Sequence, residues 1–138
     1  MPYPELMVGP MREDLVKIGF DELRQPEEVD TFVARPGTAM VVVNSVCGCA
    51  AGKCRPGVAL ATQADNRPQH LGTVFAGNDP GTDRLREIFN QVPPSSPSIY
   101  LLKDGQLFDF VPRHLIENQE AEPIAAHLKS IFDRMAGS

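Results

Sequence analysis

Apolar residues in this chain change their spacing several times, and each change marks a predicted element. From Glu5 to Ile18, Met7, Met11, Leu15 and Ile18 recur at helical spacing, and Gly19 stops the run. Pro10 inside it predicts a kink or a late start. Pro26 opens a second helix with Val29, Phe32 and Val33 on its apolar face, ended by Pro36-Gly37. Thr38–Asn44 (TAMVVVN) is continuous and β-branched, the pattern of a strand buried on both faces. Ala50–Ala64 is alanine-rich and reads as a helix, with Pro56 inside it. Leu71–Ala76 (LGTVFA) is a second strand. Asp79-Pro80 then caps a helix through Val92 whose buried stripe is Leu85, Ile88, Phe89 and Val92. After a loop, PPSSPS (Pro93–Ser98), the segments Ile99–Lys103 and Gln106–Val111 flank Asp104-Gly105, a strong hairpin signal. Ala121, Ile124, Ala125, Leu128, Ile131, Phe132 and Met135 define a last amphipathic helix.

From Thr38 the predicted order is strand, helix, strand, helix, hairpin, helix. A parallel pair joined by a helix and closed by an antiparallel hairpin is the minimal thioredoxin-like arrangement. The expected fold is therefore α/β and thioredoxin-like: a four-stranded mixed sheet with flanking helices, the Thr38 strand central. Residues 1–36 form an N-terminal helical extension and 37–138 the core of a single domain spanning 1–138. No internal repeat or low-complexity tract interrupts this order.

Composition narrows the function. A chain of 138 residues with 42% hydrophobic and 22% charged residues is ordinary for one globular domain. The formal net charge of -5 and the lack of a basic run argue against nucleic acid, which needs clustered Lys and Arg. The densest apolar run, Ala39–Val43, is far too short to span a membrane. The opening segment is acidic and broken by prolines, unlike a signal peptide. The expectation is a cytoplasmic protein with no nucleic-acid or membrane partner; a homodimer is left open.

The three cysteines, Cys47, Cys49 and Cys54, cluster after the Thr38 strand. An odd, clustered set is not a secreted disulfide framework; in a reducing cytosol it points to redox chemistry or metal binding. Cys47-Gly48-Cys49 falls between the carboxyl end of a buried strand and the start of a helix, where open α/β folds place functional groups. Unpaired N–H groups at a helix start favour a thiolate, the attacking species in thiol–disulfide exchange. One intervening residue makes a tight ring when the two sulfurs join, and Gly48 is expected to ease it by adopting backbone angles other residues avoid. Such a ring should be readily reduced, which suits the release of mixed disulfides. The alternative is a metal- or cluster-binding module, with Cys47, Cys49 and Cys54 as soft ligands and His114 as a fourth. The spacing differs from common zinc sites, which separate paired cysteines by two or more residues. A redox-sensing scaffold that does not turn over is a third reading.

NSVCGCAAG (Asn44–Gly52), followed by Arg55-Pro56, resembles the bacilliredoxin family, thioredoxin-fold proteins with a Cys-Gly-Cys site. The resemblance continues through PMRE (Pro10–Glu13), VFAGND (Val74–Asp79), PPSSPS (Pro93–Ser98) and VPRH (Val111–His114), and so covers nearly the whole chain. It implies reduction of mixed disulfides between proteins and bacillithiol, a low-molecular-weight thiol that acts as co-substrate, with no other cofactor. Disulfide isomerase activity is also associated with such proteins. By position, it makes Cys47 the nucleophile and Cys49 the candidate resolving thiol. The expected partners are S-thiolated or disulfide-bonded proteins. This chain departs from the family where Cys54 stands in place of the usual alanine. Cys54 is either a second resolving thiol or a buried core residue.

Supporting residues follow from the fold and the segment. Thioredoxin-like folds carry a cis-proline before the hairpin, facing the cysteines, which assigns that role to Pro97. The hairpin's second strand returns to the cysteine end, bringing Pro112, Arg113 and His114 with it. Arg113 or Arg55 could hold a carboxylate of a small thiol. His114 could stabilise a thiolate or move a proton, or be an exposed loop histidine. Asn44 and Ser45 could hydrogen-bond the cysteine loop or merely cap the helix. His70 and His127 read as solvated.

Overall fold

A computed structural model describes residues 2–138. Helix α1 (Glu5–Val16) leads to a two-residue strand β1 (Asp21–Glu22) and helix α2 (Pro26–Val33). Strand β2 (Thr38–Asn44) is followed by a π-helical turn (Ala50–Cys54) that runs into α3 (Arg55–Ala61). Then come β3 (His70–Phe75), α4 (Pro80–Ile88), the hairpin β4 (Ser98–Lys103) and β5 (Gln106–Val111), a short α5 (Arg113–Glu117) and α6 (Ala121–Ala136).

The sheet has the order β1-β3-β2-β4-β5, with β2 at its centre, parallel to β3 and antiparallel to β4. This is the predicted thioredoxin-like arrangement with one correction: five strands, not four. The fifth comes from the N-terminal segment, where Asp21–Glu22 pairs with Gly72–Thr73. A charged dipeptide carries no strand signal; pairing to the exposed edge of β3 creates the strand.

Alternation along the strands sorts the core into two layers. Met40, Val42, Ile99 and Leu101 face Leu15 of α1, Val58 of α3 and the α6 stripe Ile124, Leu128, Ile131 and Phe132. Val41, Val43, Tyr100 and Leu102 face Val29 and Phe32 of α2 and Leu85 of α4. Asp104 and Gly105 both have positive φ (50° and 79°), as a tight hairpin turn of matching twist requires.

Three local expectations need correction. The buried line of α1 runs Val8, Arg12, Leu15 rather than through Met7, which is 45% exposed. Asp79 stands at the cap position of α4, but its side chain makes no capping bond. It accepts instead from the Phe75 N–H and, through both oxygens, from Arg12 at 2.9 and 2.8 Å. Helix α4 stops at Ile88, before Val92.

Candidate active site

Strand β2 delivers the chain to its carboxyl end, and there Asn44, Ser45 and Arg55 build a buried frame. Asn44 Oδ1 accepts from the Ser45 N–H (2.8 Å) and from Arg55 Nη1 (2.9 Å), which also donates to the Ser45 carbonyl (3.1 Å). Asn44 Nδ2 donates to the Met11 carbonyl (3.0 Å), and Arg55 Nε pairs with Asp14 (3.0 Å), so α1 closes the frame. Ser45 Oγ then accepts from the Cys47 N–H at 3.0 Å. Asn44 and Ser45 thus bond the cysteine loop itself. Arg55 is 6% exposed, and its Nε and Nη1 are spent on Asp14, Asn44 and the Ser45 carbonyl, a framing role for this arginine.

The helix starts at the cysteines: the Ala50 and Ala51 N–H groups both donate to the Cys47 carbonyl. Cys47 and Cys49 are free, half-buried thiols with sulfurs 2.6 Å apart. The Cys49 N–H points at Cys47 Sγ (3.4 Å), and Arg113 Nη2 donates to the same sulfur at 3.3 Å. Hydrogen bonding from Cys49, followed by backbone N–H donation and the Arg113 charge, holds Cys47 below the ordinary thiol range. Burial and the neighbouring Cys47 sulfur push Cys49 above it. The two sulfurs are therefore unequal: Cys47 is the one poised to be a thiolate, and Cys49 holds its proton.

The role expected of Gly48 belongs to the oxidised ring, whereas Cys47 and Cys49 are free here. Gly48 is not among the glycines at positive φ, and a Cβ there would meet nothing within 4 Å. In the reduced protein neither backbone angle nor space demands a glycine.

Cys54 is fully buried in the α3–α6 core layer, and burial pushes its thiol up to about 12. Its environment is that of a core residue. Among the described residues, no three His, Cys, Asp or Glu side chains converge as metal ligands would.

The hairpin brings the other expected groups to the same end. Val43 pairs with Ser98, which sets the cis Ser96-Pro97 bond beside the β2 exit. Arg113, just past β5, ties this loop to the cysteines: Nη1 donates to the Ser96 carbonyl (3.2 Å), Nε to Glu117 (3.0 Å), and its backbone N–H to Ser95 Oγ. His114 is exposed on α5 and lines a groove with Arg113. His70 lies at the opposite end of the sheet, paired in register with Ala39 and bonded to the Pro36 carbonyl. Both His70 and His127 are half-buried and keep part of their surface in solvent. Sequence reasoning missed Asp14, Arg12 and Asp79, because a charged residue on an amphipathic helix or at a cap reads as surface.

Comparison with known proteins supplies the family and the fold. A model of the family described as "Disulphide isomerase" matches residues 3–136. A bacilliredoxin of Cytophaga hutchinsonii is 51% identical over 134 residues, covering 96% of this chain and 99% of its own. One from Koribacter versatilis is 50% identical over 138 residues, covering 99% and 95%. One from Geobacillus kaustophilus is 51% identical over 128 residues, covering 92% and 88%. Among solved structures, a thioredoxin of Malassezia sympodialis superposes with a TM-score of 0.60 at 10% identity, covering 86% of this chain and 91% of its own. Oxidised mitochondrial thioredoxin 3 of Saccharomyces cerevisiae gives 0.53 at 19% identity, covering 83% and 94%. The fold and the family together make the protein a thiol–disulfide oxidoreductase. With a family match over nearly its full length and relatives half identical to it, the chain belongs to the bacilliredoxin family.

Proposed function

We propose that the protein reduces mixed disulfides between proteins and a low-molecular-weight thiol of the bacillithiol kind, with Cys47 attacking and Cys49 resolving. The observation that carries this reading is the inequality of the two sulfurs 2.6 Å apart, one lowered toward the thiolate and the other held as a thiol. The Cys47 thiolate attacks the small-thiol sulfur of the mixed disulfide. The S–S bond breaks, its electron pair leaves with the protein substrate's sulfur, and that thiolate takes a proton from solvent. Once Cys47 is in a mixed disulfide, Cys49 loses the negative neighbour that raised it and ionises more readily. Its thiolate attacks Cys47 Sγ, releasing the small thiol and leaving a Cys47–Cys49 disulfide. An external thiol reductant must supply two electrons to restore the site. Isomerisation of protein disulfides would use the same first attack. The clustered, odd-numbered cysteines favour a reducing, cytoplasmic setting.

Intact-mass spectrometry tests this on Cys49→Ser and Cys54→Ser variants mixed with a protein carrying a small-thiol mixed disulfide. Accumulation of the small thiol on Cys47 in Cys49→Ser alone is the expected result. Trapping only in Cys54→Ser would transfer resolution to Cys54. No adduct in any variant, with inert wild type, would refute the assignment.

A further inference from the structure

We propose that the cysteine pair is also a hydroperoxide-reducing site, in which Cys47 attacks a peroxide oxygen while Arg113 and the Cys49 thiol receive the oxygen that leaves. The reading uses the same two thiols as the mixed-disulfide chemistry, but it does not depend on which small thiol the protein meets. Three observations meet at one sulfur. Cys49 Sγ lies 2.6 Å from Cys47 Sγ, so a second thiol stands ready to resolve what forms on the first. Arg113 Nη2 donates to Cys47 Sγ at 3.3 Å. The turn between the two thiols is open: Gly48 is exposed, and a Cβ on it would meet nothing within 4 Å, so a small oxidant reaches the sulfurs from solvent. An accessible thiolate beside a resolving thiol is the arrangement that oxidants select among cysteines.

The guanidinium decides which electrophile suits the site. A guanidinium carries about five N–H donors. In Arg113, Nε is spent on Glu117, one Nη1 hydrogen on the Ser96 carbonyl and one Nη2 hydrogen on Cys47 Sγ. The remaining hydrogen on each terminal nitrogen has no partner among the described residues. The Glu117 carboxylate and the Cys47 thiolate already meet the positive charge, so the site does not call for a further anion. It suits a small neutral molecule that becomes anionic only as it reacts, and a hydroperoxide has that character. The Cys47 thiolate attacks the terminal oxygen of ROOH. The O–O bond breaks, its electron pair leaves on the RO oxygen, and Cys47 becomes a sulfenic acid. Arg113 stabilises the leaving oxyanion, which takes the Cys49 proton and departs as ROH. The Cys49 thiolate then attacks the sulfenic sulfur, forming the Cys47–Cys49 disulfide and releasing hydroxide, which solvent protonates. The peroxide gains two electrons and the cysteine pair loses two. A low-molecular-weight thiol returns them by thiol–disulfide exchange, as in the mixed-disulfide cycle.

The test compares two electrophiles on the reduced protein. Second-order rate constants of Cys47 are measured with hydrogen peroxide and with iodoacetamide in the wild type, Arg113→Gln and Arg113→Lys. The thiolate fraction enters both rates equally, and iodide leaves without needing a donor, so the peroxide-to-iodoacetamide ratio isolates the help given to a leaving oxygen. The wild-type ratio should exceed that of the free amino acid cysteine. It should fall roughly tenfold in Arg113→Gln, less than the about 10²–10³-fold worth of an enclosed oxyanion donor, because Arg113 is half exposed. Arg113→Lys should recover part of it. Mass spectrometry with dimedone should find sulfenic acid on Cys47 in Cys49→Ala and the Cys47–Cys49 disulfide in the wild type. A wild-type ratio no higher than that of free cysteine, or one unchanged by Arg113→Gln, overturns the proposal. Sulfinic acid on wild-type Cys47 in place of the disulfide also overturns it, since Cys49 would then not resolve. Mixed-disulfide turnover is read on the same preparations. Its survival when the ratio test fails strikes this inference alone, and its loss with peroxide reduction intact strikes the mixed-disulfide reading alone.

Discussion

Replacing Cys54 by alanine separates the two roles open to the third thiol. Its side chain is fully buried among Val58, Ile124 and Leu128. Deleting one sulfur there removes roughly one methylene-equivalent of burial and leaves a small void, a loss of about 1 kcal/mol. With unfolding entropy of about 2.1 cal/mol/K per residue, 138 residues correspond to ~0.3 kcal/mol/K, so Tm should fall by about 3–4 °C. With a urea slope of ~2 kcal/mol/M the midpoint should fall by about 0.5 M. Catalysis should not change. A thiol pushed up to about 12 is ionised on the order of one part in 10⁵ at pH 7, far too little to compete with Cys49 for Cys47 Sγ. The assay is turnover of a protein mixed disulfide, read beside thermal and urea melts. A tenfold loss of turnover with melting unchanged would refute the reasoning and make Cys54 a working thiol.

Cys47 should be alkylated by iodoacetamide at a pH below the ordinary thiol range. Replacing Cys49 by alanine should move that curve to higher pH, because the Cys49 hydrogen bond is the largest cause of the lowering; a curve that stays put would remove Cys49 from this role. Arg12→Met should cost about 3–5 kcal/mol in urea melts by leaving the Asp79 carboxylate, whose side chain is 4% exposed, without its cation, and Asp79→Asn in the same chain should recover part of it. Gly57→Ala should destabilise by about 1–3 kcal/mol, since its Cβ would stand 2.8 Å from Ile124 Cγ2 and 3.2 Å from the Ala121 carbonyl. Gly48→Ala, with nothing in its way, should melt like wild type, and a large loss there would show that the cysteine turn samples another conformation.

Much of the fold was legible because periodicity and turn chemistry agreed. The run TAMVVVN is the central strand with the limits read from sequence, and Asp104-Gly105 closes the hairpin as its residue types require. The α6 stripe is buried residue for residue from Ile124 to Met135. The misses share a cause: each depends on a partner distant in sequence. β1 exists only because β3 has a free edge, and Arg12 is inside only because Asp79 waits 67 positions later. At the site, Cys47 and Cys49 could be read from spacing, and Arg113 from the return of the hairpin. From sequence, Arg55 stands beside Arg113 as a candidate for holding a carboxylate, because Asp14 and Asn44, which engage it, lie 41 and 11 positions away. The π-helical turn carries no spacing signal of its own and replaces the first turns of the α-helix read from Ala50.

The ties from α1 also bear on where the smallest working unit of this protein begins. Cutting the chain just before Thr38 would retain both active-site cysteines and four strands, a thioredoxin-sized remainder. It would also strip Asp14 from Arg55, Arg12 from Asp79 and the Met11 carbonyl from Asn44, and bare the edge of β3. A guanidinium and a carboxylate built to be neutralised indoors would be left facing water or each other's absence, beside an open strand. The leading quarter of the chain is thus expected to behave as a component of the working module and not as a detachable preface to it, and a trimmed version is expected to lose solubility before it reports anything about its thiols.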